Sequence, residues 1–346
     1  MFKNYKKFIL LSTILLVAVF LYRKTPLFSN IRTILSPLPK DAALFAQIDK
    51  KLEKTPNTYS LQNQISIIPQ ADATVPYSDA NSYVAIDFDT GKVLTQKNMN
   101  QKYEIASLTK IMTAVVTLDL ASKDELLHVP ASARRMPATY ILVEPGEKLS
   151  VEELLHAALL TSANDAVEVL KSGVNAKYGR NIFIDAMNEK AVLIGLKNTH
   201  FANPQGFDDQ KNYSSAGDLA ILSHYALTNY PLIAQIAQKD YTLLPQSDNH
   251  KKFDLYNWNG LLDVYPGIFG LKIGNTGAAG TTMIAVSQRG GKKVLAVMLG
   301  APGILQRDLW TSQILDTGFE KLANLPPVQV TEQELRAKYA TWSYGT

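Results

Sequence analysis

The stretch Thr281–Leu299, TTMIAVSQRGGKKVLAVML, holds two apolar runs, Thr281–Ser287 and Lys293–Leu299, on either side of Gly290-Gly291. Adjacent glycines supply the positive φ angles that a tight two-residue turn needs, so the stretch reads as a β-hairpin. The same pattern stands far upstream, where Tyr83–Phe88 and Lys92–Gln96 flank Asp89-Thr90-Gly91. Between the hairpins the apolar spacing turns helical. Ser107–Ala121 carries apolar residues at 108, 111, 112, 115, 116 and 118. Ser150-Val-Glu-Glu153 is a capping box that opens Leu154–Leu160, and Ile182–Leu196 is amphipathic with Gly195 near its end. Ser215–Asn229 reads as a further helix, and a last one is expected from about Leu305 to Leu322. Strands at both ends with helices between them predict an α+β fold, in which an antiparallel sheet joins the two terminal segments and packs against helices.

The chain has 346 residues, 46% of them hydrophobic and 19% charged, enough for one large domain or two modest ones. Wholesale disorder, a collagen-like fibre and a polytopic membrane protein are excluded. With no cysteine there is no disulfide scaffold, cysteine-based metal site or thiol nucleophile. The 35 Lys and Arg exceed the 31 Asp and Glu by four, yet seven of the 35 lie within residues 1–40, where there is no acid. The rest of the chain is slightly acidic, which argues against nucleic acid as a partner.

Those early basic residues bracket Phe8–Tyr22, a 15-residue run without a charge. No small-x-small cleavage site follows it, so an uncleaved N-terminal membrane anchor is favoured over a removed signal. Residues 25–81 carry six of the sixteen prolines and no glycine, and read as a stiff tether, although Ala43–Ile48 is apolar enough to fold locally. The expected organisation is an anchor or signal over 1–24, a tether over 25–81, a catalytic domain over 82–324 and a tail over 325–346. The expected address is the extracytoplasmic face of the membrane, or the space beyond it if the signal is removed.

Ser107-Leu-Thr-Lys110 sets a hydroxyl and an ammonium one helical turn apart, on one face. Serine attacks only once a base takes its proton, and a lysine serves as that base if burial lowers its pKa. Alone, the motif is better explained by Ser107 capping a helix and Lys110 facing solvent. Two further signals support the chemical reading. Ser162-Ala-Asn164 interrupts a helical segment with groups able to relay a proton and to bind an amide. Gly270-Leu-Lys-Ile-Gly-Asn-Thr-Gly277 feeds the last hairpin, its glycines permitting close approach by a ligand and Lys272 adding charge. The five histidines, 128, 156, 200, 224 and 250, accompany no G-x-S-x-G elbow and no metal-ligand spacing. No metal or cofactor is called for. Lys171-Ser-Gly173 and Ser247-Asp-Asn249 spell similar motifs, but read as a helix end and a polar loop.

S-x-x-K, S-x-N and a lysine-glycine motif, 55 and 110 residues apart, resemble the signature of the penicilloyl-serine transferases. More closely, VAIDFDTGKVL, EIASLTKIMTAVV, LLTSANDAV, ANPQGFDD, YSSAGDLAIL and GLKIGNTGAAG…AVMLGAP are similar to the D-alanyl-D-alanine carboxypeptidases among the low molecular mass penicillin-binding proteins, over about residues 82–322. The resemblance implies a β-lactamase/transpeptidase-like fold with a helical subdomain, peptidoglycan stem peptides as substrate and β-lactams as covalent inhibitors. It implies that Ser107 attacks the terminal D-Ala-D-Ala carbonyl, Lys110 accepts its proton and Ser162 passes a proton to the departing D-alanine. It assigns Asn164 to the substrate amide and the backbone N–H groups of Ser107 and Asn275 to an oxyanion hole, worth roughly 3 to 4 kcal/mol per donor in other enzymes. Lys272 and Arg307 would hold the C-terminal carboxylate.

One position departs from that pattern. Ile273 stands where the family has Thr or Ser, whose hydroxyl binds the carboxylate, and a hydrogen bond to a charged group is worth about 1.5 to 3 kcal/mol. Reduced activity or changed specificity is expected, with cross-link endopeptidase action or a catalytically impaired wall-binding role as alternatives. Thr276 lies at the opposite strand parity and is not expected to substitute.

Overall fold

The computed structural model describes residues 42–53, 55–61 and 75–342. Its centre is a five-stranded sheet of β1 (Ser82–Asp87), β2 (Val93–Lys97), β3 (Ile268–Thr276), β4 (Gly280–Arg289) and β5 (Lys292–Ala301), in the order β2-β1-β5-β4-β3. All neighbours are antiparallel, and β1 pairs directly with β5, Val84 opposite Val297. The two ends of the domain thus meet in adjacent strands, as expected. Gly290 and Gly291 have φ angles of 54° and 72° and close the β4–β5 turn, where Arg289 faces Lys292. In the β1–β2 turn the Asp87 carboxylate accepts from Thr90 Oγ1 at 2.7 Å and from the Asp89 N–H at 3.1 Å.

Among the described residues the α-helices are α1 (Ala42–Leu52), α2 (Lys110–Leu120), α3 (Val151–His156), α4 (Asn164–Tyr178), α5 (Phe183–Leu193), α6 (Ala216–Asn229), α7 (Pro231–Ala237), α8 (Ile304–Ala323) and α9 (Glu332–Tyr339). One sheet face packs against α8 through Ala85, Val294, Ala296, Ile314 and Phe319, all fully buried. Gly318 permits that approach, since a Cβ there would stand 2.7 Å from Val294 Cγ1. The other face meets α6, which in turn packs on α2. Burial of Phe319 alone is worth about 3 kcal/mol or more against truncation to alanine. The capping box at Ser150 forms as read, with Glu153 N–H donating to Ser150 Oγ.

Three expectations change. Residues 42–52 of the segment assigned to the tether form α1, which packs on α2 and α5 with Ile48 and Leu52 buried. Residues 55–61 also lie on the body, where the Tyr59 ring stacks on His224 at 3.5 Å and Asn57 Nδ2 donates to the Ile194 carbonyl. The tail is likewise part of the packed body. In α9 Lys338 reaches Asp240 at 2.7 Å and Asp263 at 3.2 Å, and Tyr339 Oη donates to Asp308 at 2.7 Å. Lys171-Ser-Gly173 lies inside α4, where Gly173 makes room for Leu127, and Gly179, at φ 66°, is the true helix end. Among the described residues no helix is long and apolar enough to cross a membrane, and the run Phe8–Tyr22 lies outside them.

Candidate active site

The 3₁₀ turn Ala106–Thr109 delivers Ser107 to the mouth of α2 and rotates Lys110 inward at the helix start. Ser107 is half-buried and Lys110 fully buried. Lys110 Nζ donates to Ser107 Oγ at 2.8 Å, Asn164 Oδ1 at 2.9 Å and the Gln205 carbonyl at 2.7 Å. All three acceptors are neutral. Burial, and then the positive charge of Lys272, hold its pKa well below the usual lysine range, which is what a proton acceptor next to a serine requires.

The break at Ser162 has a structural cause. A π-helical turn, Ala157–Thr161, ends in Ser162 at φ 63°, a left-handed conformation, before α4 begins at Asn164. The irregularity faces Ser162 and Asn164 into the same cleft as Ser107. Asn164 is committed at both ends, Oδ1 to Lys110 and Nδ2 to the Pro137 carbonyl at 3.0 Å. In this arrangement it touches the base, and the second N–H of Nδ2 and the second lone pair of Oδ1 are left over for a ligand. The loop beside it is pinned by Asp165, whose carboxylate accepts from the N–H groups of Ile141 and Val143, each at 3.1 Å. Burial raises the Asp165 pKa against the opposing pull of these bonds.

Strand β3 is the edge of the sheet, so alternate backbone N–H groups turn away from it. It runs against the nucleophile, and a Cβ on Gly274 would stand 2.9 Å from the Ser107 nitrogen. Asn275 is exposed and lines the cleft, which suits its backbone to an oxyanion hole with Ser107. Lys272 is 2% exposed and donates to the Ile273 carbonyl at 3.0 Å; burial and the nearby Arg307 charge bring it down to about 7. Arg307, in the first turn of α8, is 1% exposed and lines the cleft. Its Nε and Nη2 donate to Asp308 at 2.7 and 2.9 Å.

The cleft encloses about 270 Å³ and brings together Ser107, Ser162, Asn164, Asn275 and Arg307, with Lys110 and Lys272 buried behind it. Both Ile273 and Thr276 line it, so strand parity did not keep Thr276 away: the strand ends there, and Thr276 Oγ1 accepts the Ala279 N–H in the turn. None of the five histidines does.

Residues not singled out in the sequence complete the site. Gln205 supplies a carbonyl to Lys110, and its side chain donates to the buried Glu168 at 3.2 Å. Gly206, at φ 88°, lies so close to Ala106 that a Cβ would collide with its carbonyl oxygen. The run ANPQGFDD that contains both was legible as a resemblance, though nothing in it announced a role. Trp258, Ile304 and Trp342 wall one end; no motif marks them.

Comparisons with known proteins agree with this geometry. The family described as D-alanyl-D-alanine carboxypeptidase, peptidase S11, matches residues 69–303. The chain is 34% identical to D-alanyl-D-alanine carboxypeptidase DacF of Bacillus subtilis over 255 residues, which cover 72% of this chain and 64% of DacF. It is 31% identical to DacB2 of Mycobacterium tuberculosis, over 67% of this chain and 79% of DacB2. Among solved structures it is similar to the Streptomyces K15 DD-transpeptidase (TM-score 0.64, 27% identity) and to penicillin-binding protein D2 of Listeria monocytogenes in its ampicillin-bound form (TM-score 0.61, 30% identity). Each of these two covers 69% of this chain and 97% of the other. With a matched span of this length and a buried lysine on the motif serine, the chain belongs to the D-alanyl-D-alanine carboxypeptidase family of serine peptidases.

Proposed function

We propose that the protein is a serine D,D-peptidase that cleaves the D-alanyl-D-alanine bond of peptidoglycan stem peptides, working outside the cytoplasm on a domain held to the membrane by the segment around Phe8–Tyr22. The observation that carries this is the contact of 2.8 Å between Ser107 Oγ and a fully buried Lys110 whose pKa is lowered. Lys110 takes the Ser107 proton as Oγ attacks the carbonyl. The backbone N–H groups of Ser107 and Asn275 receive the oxyanion, and Ser162 hands a proton to the departing amine. The acyl-enzyme then yields to water.

Family membership, the carboxypeptidase names of the relatives and the ampicillin complex of the Listeria neighbour support the substrate class and reaction with β-lactams. The basic residues flanking an uncharged 15-residue run support the anchor. The test is covalent labelling by a fluorescent penicillin and acylation by a stem pentapeptide, followed by intact-protein mass. Both should disappear in Ser107→Ala. Labelling that survives the substitution would remove Ser107 from the mechanism, and an absence of any acylation would favour an impaired wall-binding protein.

A further inference from the structure

The D,D-peptidase reading puts the departing residue beside Lys272 and Arg307, and there the cleft is poorly made for an anion. Arg307 spends Nε and Nη2 on the fully buried carboxylate of Asp308, and Nη2 also touches the Trp258 carbonyl at 3.3 Å. The formal charge of the pair is zero. Asp308 is itself fixed by Tyr339 Oη at 2.7 Å, so α9 holds the neutralised arrangement in place. Around it stand four partly exposed apolar side chains, Trp258, Ile273, Ile304 and Trp342. Ile304 is 39% exposed although it is a large aliphatic residue at a helix start. Beside Asn275 and the buried Lys272, strand β3 offers Thr276, whose hydroxyl can donate to a neutral carbonyl as well as to a carboxylate.

Trp342 arrives there by design of the tail. Thr331 and Glu334 cap α9 reciprocally, Lys338 ties it to Asp240 and Asp263, and the Trp342 ring packs on Tyr339 with centroids 4.7 Å apart. Clustered apolar surface beside a paired guanidinium is stabilised by burying aliphatic carbon, and a carboxylate brought there would lose hydration with Arg307 already paired and Lys272, turned to the Ile273 carbonyl, as the one remaining cation among the described residues at this end of the site.

We infer that this end of the cleft receives a leaving group with no carboxylate beside the scissile nitrogen, an amine on an aliphatic chain of the kind that links one stem peptide to the side chain of another, so that the protein acts on cross-links in preference to free D-alanyl ends. The inference rests on the D,D-peptidase reading and adds the identity of the leaving group. In the reaction Ser107 Oγ bonds to the D-alanyl carbonyl carbon, the C–N bond breaks, and the hydroxyl proton ends on the departing amine. Water then adds to the ester carbon, Ser107 recovers its proton, and a free D-alanyl carboxylic acid leaves.

The test uses the full chain and three substrates with one common acyl portion: acyl-D-Ala-D-Ala as the free acid, its C-terminal carboxamide, and acyl-D-Ala joined to pentylamine. Expected for the native protein is a kcat/KM on the pentylamide and the carboxamide at least equal to that on the free acid. Ile273→Thr should restore the missing hydroxyl and raise the ratio of free acid to pentylamide by about tenfold or more. Trp342→Ala should move the same ratio in the same direction by a few-fold, through loss of the apolar wall. A native protein that prefers the free acid by about tenfold, or a ratio unmoved by Ile273→Thr, overturns the inference while leaving the D,D-peptidase reading intact. Hydrolysis of none of the three, by a protein with a native melting transition, overturns both.

Discussion

The two ends of the cleft follow opposite electrostatic plans. At the nucleophile, Lys110 is buried among three neutral acceptors, and its charge is left without a carboxylate partner. At the leaving-group end, Arg307 is just as buried but sits on Asp308 at 2.7 Å. An unpaired buried ammonium surrenders its proton and becomes a base; a paired buried guanidinium keeps its charge and has little field left to offer a ligand. The proposed chemistry needs the first arrangement, and the inferred choice of leaving group rests on the second.

The largest expected effect falls on the nucleophile end alone. Ser107→Ala should remove acylation altogether, a loss on the order of 10⁶-fold in kcat by the precedent of serine nucleophiles elsewhere, read as the absence of the acyl-enzyme mass shift. Lys110→Met keeps the volume and removes the base. It should cost about 10²- to 10⁴-fold in the acylation rate constant, and rescue by raising the pH would show instead that hydroxide suffices.

A pH profile separates the two ends at smaller amplitude. Lys110 must be neutral to accept a proton, so acylation of every substrate falls as the pH drops through its lowered pKa. Lys272, brought down to about 7, must be charged to attract a carboxylate, so its help fades as the pH rises above 7. The ratio of kcat/KM for a free-acid substrate to that for its carboxamide should therefore decline between about pH 6 and pH 8, by up to about tenfold per unit on the alkaline side. A flat ratio would mean that Lys272 contributes no charge to binding. The smallest effect concerns the tail. Thr331→Ala removes the α9 cap, worth about 1 kcal/mol, and should speed hydrogen exchange across 332–342 roughly fivefold while leaving 110–120 unchanged. Equal acceleration in both segments would show that the two ends open as one unit.

Much of the nucleophile end was legible in the sequence because it is local. Ser107 and Lys110 are one helical turn apart, and the interruption at Ser162 was visible as a break in apolar periodicity before its π-helical turn was seen. Both hairpins were legible because their turns demand glycine. The leaving-group end was not, apart from Ile273. Asp308 is adjacent to Arg307, yet adjacency on a helix says nothing about whether a carboxylate folds back on its neighbour. Trp342 follows a Pro-Pro pair in a stretch that composition marked as a short tail. Its place in the cleft depends on Lys338 finding Asp240 and Asp263, 98 and 75 residues away.

By itself the sequence determined the terminal hairpins, the helices between them and the pairing of Ser107 with Lys110, since periodicity, turn residues and a three-residue spacing are short-range constraints. Tertiary structure decided whether that lysine is a base and what the cleft accepts. Its pKa depends on burial against Asn164 and the Gln205 carbonyl, 54 and 95 residues distant, and the character of the far end depends on which charges meet once the chain has folded. Desolvation and charge pairing are properties of packed neighbours, which only the fold brings together.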